Sequence, residues 1–69
     1  MIIKGDKILI KENLTSELRR MGFDELAVRN MKSFIGTEQI AYDVYNMEDE
    51  QMVTIALCCE VPINCCEKI

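Results

Sequence analysis

The stretch Thr37-Glu38-Gln39-Ile40-Ala41-Tyr42-Asp43-Val44-Tyr45-Asn46-Met47-Glu48-Asp49-Glu50-Gln51-Met52-Val53-Thr54-Ile55-Ala56 decides how this chain folds. Its first half alternates loosely, with Ile40, Tyr42 and Val44 on one face of a strand and Ala41, Asp43 and Tyr45 on the other. Asn46 to Glu50 breaks the pattern with three consecutive acids and reads as a turn. From Gln51 onward β-formers resume and run to Cys59. A central hairpin is therefore expected, with Tyr42 in the core and Tyr45 opposite it near the tip. On the returning strand, Thr54, Ala56 and Cys58 share one face and Ile55, Leu57 and Cys59 the other, so Cys59 is expected to be the more buried of its pair.

Upstream, Gly5-Asp6 precedes Lys7-Ile8-Leu9-Ile10-Lys11. On a strand this places Ile8 and Ile10 toward the core, with lysines guarding the outer side. Residues 12–22 carry Leu14, Leu18 and Met21 at helical spacings, but Asn13, Thr15 and Ser16 favour turns. This part is read as a long loop with one helical turn, ended by Gly22. Asp24 is a helix cap for residues 25–34, with Phe23, Leu26, Ala27, Met31 and Phe34 as the buried stripe and Gly36 as the stop. Downstream, Val61-Pro62-Ile63 reads as a short strand, Asn64-Cys65-Cys66 as a turn, and Glu67-Lys68-Ile69 as a last extended piece.

Sixty-nine residues make one domain, and 49% of them are apolar. A chain of this length buries only about 60% of its unfolded surface, so self-association would add stability. The formal charge is −4, with eight basic residues, twelve acidic ones and no histidine. That balance argues against binding nucleic-acid phosphates or an anionic membrane. No apolar run reaches the roughly 20 residues a bilayer span needs. The first residues lack the layout of a secretory signal, so the cytosol is the expected compartment.

Cys58-Cys59 and Cys65-Cys66 crowd into nine residues, where a disulfide would close only a short loop. Their spacing is not that of zinc knuckles, and neighbours on a strand point to opposite faces. The thiols are read as packed small hydrophobes, with no metal and no cofactor. Glu60 and Glu67 beside them disfavour reactive thiolates. Without histidine or a glycine-rich phosphate loop, no catalytic set is expected and the chain is read as a non-enzyme. The acids at Asp24-Glu25 and Glu48-Asp49-Glu50 are read as solvated, and Arg19, Arg20, Arg29 and Lys32 as solubility charges unless the fold gathers them.

The opening Gly-Asp-x-Ile-x-Ile, the segment closing on Phe34-Ile35-Gly36, the hairpin, and the ending Val61-Pro62-Ile63 with Glu67-Lys68-Ile69 resemble a Src-homology-three-like small barrel. The resemblance covers most of the chain. It implies a mainly β barrel with one short helix inserted before the central hairpin, of a kind found in phages and mobile elements of Gram-positive bacteria. The segment Val61 to Ile69 is also similar to the Pro-Ser-Asn-Tyr-Val ending of eukaryotic members. Here Cys65 stands where their groove tyrosine would be and tryptophan is absent, so the polyproline groove does not carry over. Ala41-Tyr42-Asp43 echoes those members' opening motif, but lies too close to Pro62 for their order.

The expected function is a small interaction module for a protein partner, with homo-oligomerisation as the version in which that partner is identical. Tyrosine and arginine are common interface anchors, which selects Arg19, Arg20, Phe23 and Tyr45 as binding residues. Two other readings stand beside it: an acidic inhibitor of a host nucleic-acid enzyme, and a nucleic-acid-binding barrel using the arginines.

Overall fold

The computed structural model describes residues 1–56 and 59–69 of the chain. It is mainly strand, with two helices rather than one. β1 (Lys7–Ile10) is followed by α1 (Leu14–Arg20) and α2 (Glu25–Met31), which tightens into a 3-10 turn at Lys32–Phe34. Then come β2 (Glu38–Ile40), β3 (Asp43–Met47), β4 (Glu50–Ala56) and β5 (Cys59–Pro62), a 3-10 turn Ile63–Cys65, and β6 (Cys66–Lys68). The strands form two antiparallel three-stranded sheets, ordered β2-β1-β6 and β3-β4-β5. Among the described residues no hydrogen-bonded ladder closes them into one barrel.

Ile8 and Ile10 face inward from β1 as their alternation requires, and both are buried. On the outer face, the register sets Lys7 between Ile40 and Ile69, and Leu9 between Glu38 and Glu67. Ile8, Ile10, Leu14, Leu18, Val28, Ala41, Val53, Ile55, Val61 and Cys65 form one core between the sheets and helices. Each large aliphatic side chain fully withdrawn from water there contributes about 1.5–3 kcal/mol.

The segment read as a loop is a two-turn helix, α1. Its Asn13 cap makes no side-chain bond to the helix, so local propensity does not hold it. Burial does: Leu14 and Leu18 are both fully buried, and the helix packs on β5 and α2. In α2 the Asp24 carboxylate accepts the Ala27 N–H at 2.8 Å, the cap expected from sequence. Its stripe is rotated, however. Val28 is buried and Leu26 is 63% exposed, because α2 packs chiefly on α1.

The stretch from Thr37 to Tyr45 is not one regular strand. It leaves the first sheet and enters the second at Ala41-Tyr42. The Ala41 N–H donates to the Asp6 carbonyl (2.9 Å), its carbonyl accepts the Gly5 N–H (2.7 Å), and the Tyr42 N–H donates to the Thr54 carbonyl (2.8 Å). Inward positions run Gln39, Ala41 and then Val44, a spacing of three where a regular strand gives two. That step overturns the expected facing: Ala41 is fully buried, Tyr42 is 58% exposed and Ile40 lies on the outer face. Among the described residues the returning strand runs to Ala56. Cys59 opens β5 opposite it and is half-buried; the comparison with Cys58, and the facing of Leu57, lie outside the described residues.

Candidate functional site

The end of α1 sets the site. Gly22 adopts φ +91°, its N–H donates to Arg19 O at 3.0 Å, and the Phe23 N–H donates to Leu18 O at 3.0 Å. This pair of bonds closes the helix around a left-handed glycine and turns Phe23 back along it. Arg20, on the last turn, reaches out to the hairpin between β3 and β4. Its Nη2 donates to Glu50 Oε1 at 2.7 Å and to Glu17 Oε1 at 3.0 Å, and its Nε to Glu17 at 3.2 Å. Glu17 also accepts the Asn64 side-chain amide at 2.7 Å, tying α1 to the turn before β6. The guanidinium and that amide hold the Glu17 carboxyl below the usual range, and the two acids raise the Arg20 pKa further.

Between the helix end and the hairpin tip lies a groove of about 370 Å³ lined by Arg20, Met21, Phe23, Met47, Glu48, Asp49 and Glu50. Met21, Phe23 and Met47 give it an apolar floor, and Met47 is 40% exposed. Arg20 is matched by Glu17 and Glu50, whereas Glu48 and Asp49 are exposed and form no ion pair among the described residues. Its rim is therefore net acidic. On the other side of Phe23, a second groove of about 330 Å³ is lined by Phe23, Ala27, Asn30, Met31, Cys59 and Glu60.

Of the four binding residues read from sequence, the fold brings Arg20 and Phe23 together. Arg19 turns the other way. Its Nε and Nη2 donate to the two Glu25 oxygens at 2.9 and 3.1 Å, in a cleft also lined by Thr15, Val28, Arg29 and Lys32. Tyr45 is half-buried and engaged: its hydroxyl donates to the Glu60 carboxylate. Register places Tyr45 and Pro62 either side of Met52, so a bond from Tyr45 to Glu60 takes the ring diagonally across β4. That bond, with burial and the Glu60 charge behind it, pushes the phenol up to about 12. Tyr45 thus does not extend the helix-end surface as its place among the expected binding residues implied. Met21, Met47 and Glu50 complete the groove instead. The Glu17–Arg20 spacing of three on a helix was a readable sign of that pair, but nothing local signals Arg20 meeting Glu50.

Cys65 and Cys66 line neither groove. Both are buried, and desolvation pushes their thiols up to about 12 and 11. At neutral pH both are protonated and shielded, the reverse of what a nucleophile or thiolate ligand needs. No group of three or more potential metal-binding side chains gathers among the described residues. No helix of the described residues is long and apolar enough to cross a membrane. Comparison with known proteins finds no match: no family model, no curated protein and no solved structure matches this chain.

Proposed function

We propose that the chain is a small non-catalytic interaction module of the Src-homology-three-like type, which binds an apolar, basic segment of a protein partner in the groove between α1 and the β3–β4 tip. Three features support the small-barrel part of this reading. The first strand lies between the last and the second; one stretch of chain serves both sheets at Ala41-Tyr42; and a 3-10 turn precedes the final strand. In that scheme α1 and α2 occupy the long connection after the first strand.

The observation that carries the binding reading is the Arg20–Glu50 contact. It fixes the helix end against the hairpin tip and holds Met21, Phe23 and Met47 in one concave, partly exposed surface beneath two unneutralised acids. Aromatic and methionine side chains in a concave, water-accessible setting are typical interface anchors. The acidic rim selects against anionic partners by repulsion and speeds encounter with cationic ones.

Fluorescence anisotropy with two labelled peptides tests this, one alternating leucine with arginine and one alternating leucine with glutamate. The first should bind and the second should not. Met47→Ala and Asp49→Lys, both at exposed positions, should each weaken binding by about 1 kcal/mol or more without changing the melt. Equal binding of both peptides, or binding insensitive to both substitutions, would remove the groove from consideration.

A further inference from the structure

Among the surface charges that form no ion pair in the described residues, two like-signed neighbouring pairs stand on separate parts of the surface. Glu48 and Asp49 stand at the hairpin tip, above the groove floored by Met21, Phe23 and Met47. Arg29 and Lys32 stand on the helical side and form no ion pair among the described residues. Arg29 lies one turn after Leu26, three residues on, so the two share the outward face of α2. Leu26 is 63% exposed, the most exposed leucine among the described residues. That face therefore offers an apolar side chain beside the Arg29 cation, with Lys32 one turn further on, the chemistry proposed for the groove's ligand, and it lines no part of that groove.

We propose that the partner is a second copy of this chain: Leu26 and Arg29 of α2, with Lys32 one turn further on, dock into the groove at the hairpin tip of the next copy. This rests on the interaction-module reading and names its partner. Because the donor face and the groove are different surfaces, the contact is head-to-tail, and each copy keeps one surface of each kind free. Short open chains or a ring follow, not a closed two-fold dimer. A groove this small places the contact in the weak class, below about 1,200 Å² of total buried surface, so it forms only in concentrated protein.

The sign of the salt effect separates this from ordinary stickiness. Each copy carries a formal charge of −4, which by itself keeps copies apart. If association proceeds through complementary poles, salt weakens it. If it proceeds through an apolar patch, such as the outer face of β1 with Ile40 and Ile69, salt screens the net repulsion and strengthens it.

Sedimentation velocity is run over a protein concentration series at about 0.02 M and about 0.5 M salt, which brackets Debye lengths from longer than an interface contact to shorter. Two charge-reversed variants are compared, Glu48→Lys with Asp49→Lys, and Arg29→Glu with Lys32→Glu. All four positions are exposed, and each variant's melt verifies its fold. The native chain should associate at low salt and weaken about tenfold or more at high salt. Each variant alone should be monomeric, and an equal mixture of the two should associate again. The first reversal replaces two acids by two lysines, which takes the formal charge from −4 to 0, so a purely net-charge effect would make that variant associate more. Association that rises with salt, a native chain that stays monomeric, or a mixture that fails to recover would overturn the proposal. The leucine–arginine peptide keeps the two readings apart. If it binds the Arg29→Glu, Lys32→Glu variant while the native copies do not associate, the groove reading stands and self-docking falls. If the peptide does not bind and the native copies do not associate, both fall.

Discussion

Replacing Ala41 by leucine tests the step in the fold where one stretch of chain leaves the first sheet and enters the second. Ala41 is fully buried, and both its amide and its carbonyl are bonded to the segment just before β1. Leucine adds three carbons. Were there room for them, burying about 0.8 kcal/mol per carbon would stabilise the fold by roughly 2.4 kcal/mol. The side chain instead points into the packed core that holds Ile8, Val53 and Val61, where added methylenes force neighbours aside at a cost of typically 1–3 kcal/mol. The expected result is a net loss in that range. For 69 residues, an unfolding entropy of about 2.1 cal/mol/K per residue converts each kcal/mol into about 7 °C, so Tm should fall by roughly 7–20 °C. Tyr42→Ala, one residue on and 58% exposed, should stay within about ±0.5 kcal/mol. Thermal melts by circular dichroism compare the two directly. A neutral or stabilising Ala41→Leu beside a costly Tyr42→Ala would refute the three-residue step and restore a regular strand with Tyr42 in the core.

Glu50→Gln should destabilise by about 0.5–1.5 kcal/mol in urea titrations through loss of the Arg20 contact, while Glu48→Gln and Asp49→Gln stay within about ±0.5 kcal/mol; equal effects at all three would detach Arg20 from the hairpin. Cys65→Ser places a hydroxyl where the thiol is fully buried and should cost about 1–3 kcal/mol, more than Cys59→Ser at a half-buried position, as read by calorimetry. The Cys65, Cys66 and Tyr45 protons are held more tightly in the fold than in the unfolded chain, whose groups ionise first as pH rises. Their contribution is complete below about pH 9 and is lost through about pH 11–12; a melting temperature that climbed across that window would contradict their burial and the Tyr45–Glu60 bond.

Much of the fold was legible where short-range rules act alone. Alternation gave the inward isoleucines of β1, and a carboxylate before a helical pattern gave the start of α2. The failures share one cause, burial across the sequence overriding local preference. Asn13, Thr15 and Ser16 disfavour helix, yet two buried leucines hold α1 in place. Hydropathy pointed to Tyr42 because alanine is a weak apolar signal, and only the pairing of β1 with β2 reveals that the small residue is the buried one. At the site, Arg20 and Phe23 could be named from residue type. Their meeting with Met47 and Glu50 depends on a contact spanning thirty residues, which no periodicity records.

The position of β1 between β2 and β6 also sets an order of events. Residues 43–62 make a meander whose neighbours in space are neighbours in sequence, so the second sheet can form from a local segment. Ile8 must instead find Lys68, sixty residues away, and close nearly the whole chain into a loop to do so. β1 precedes β6 in the chain, so its backbone groups stay unpaired on the β6 side until residues 66–68 are available. The first sheet is thus completed last, and the interval before it closes is when the nascent chain is most open to pairing with the wrong strand.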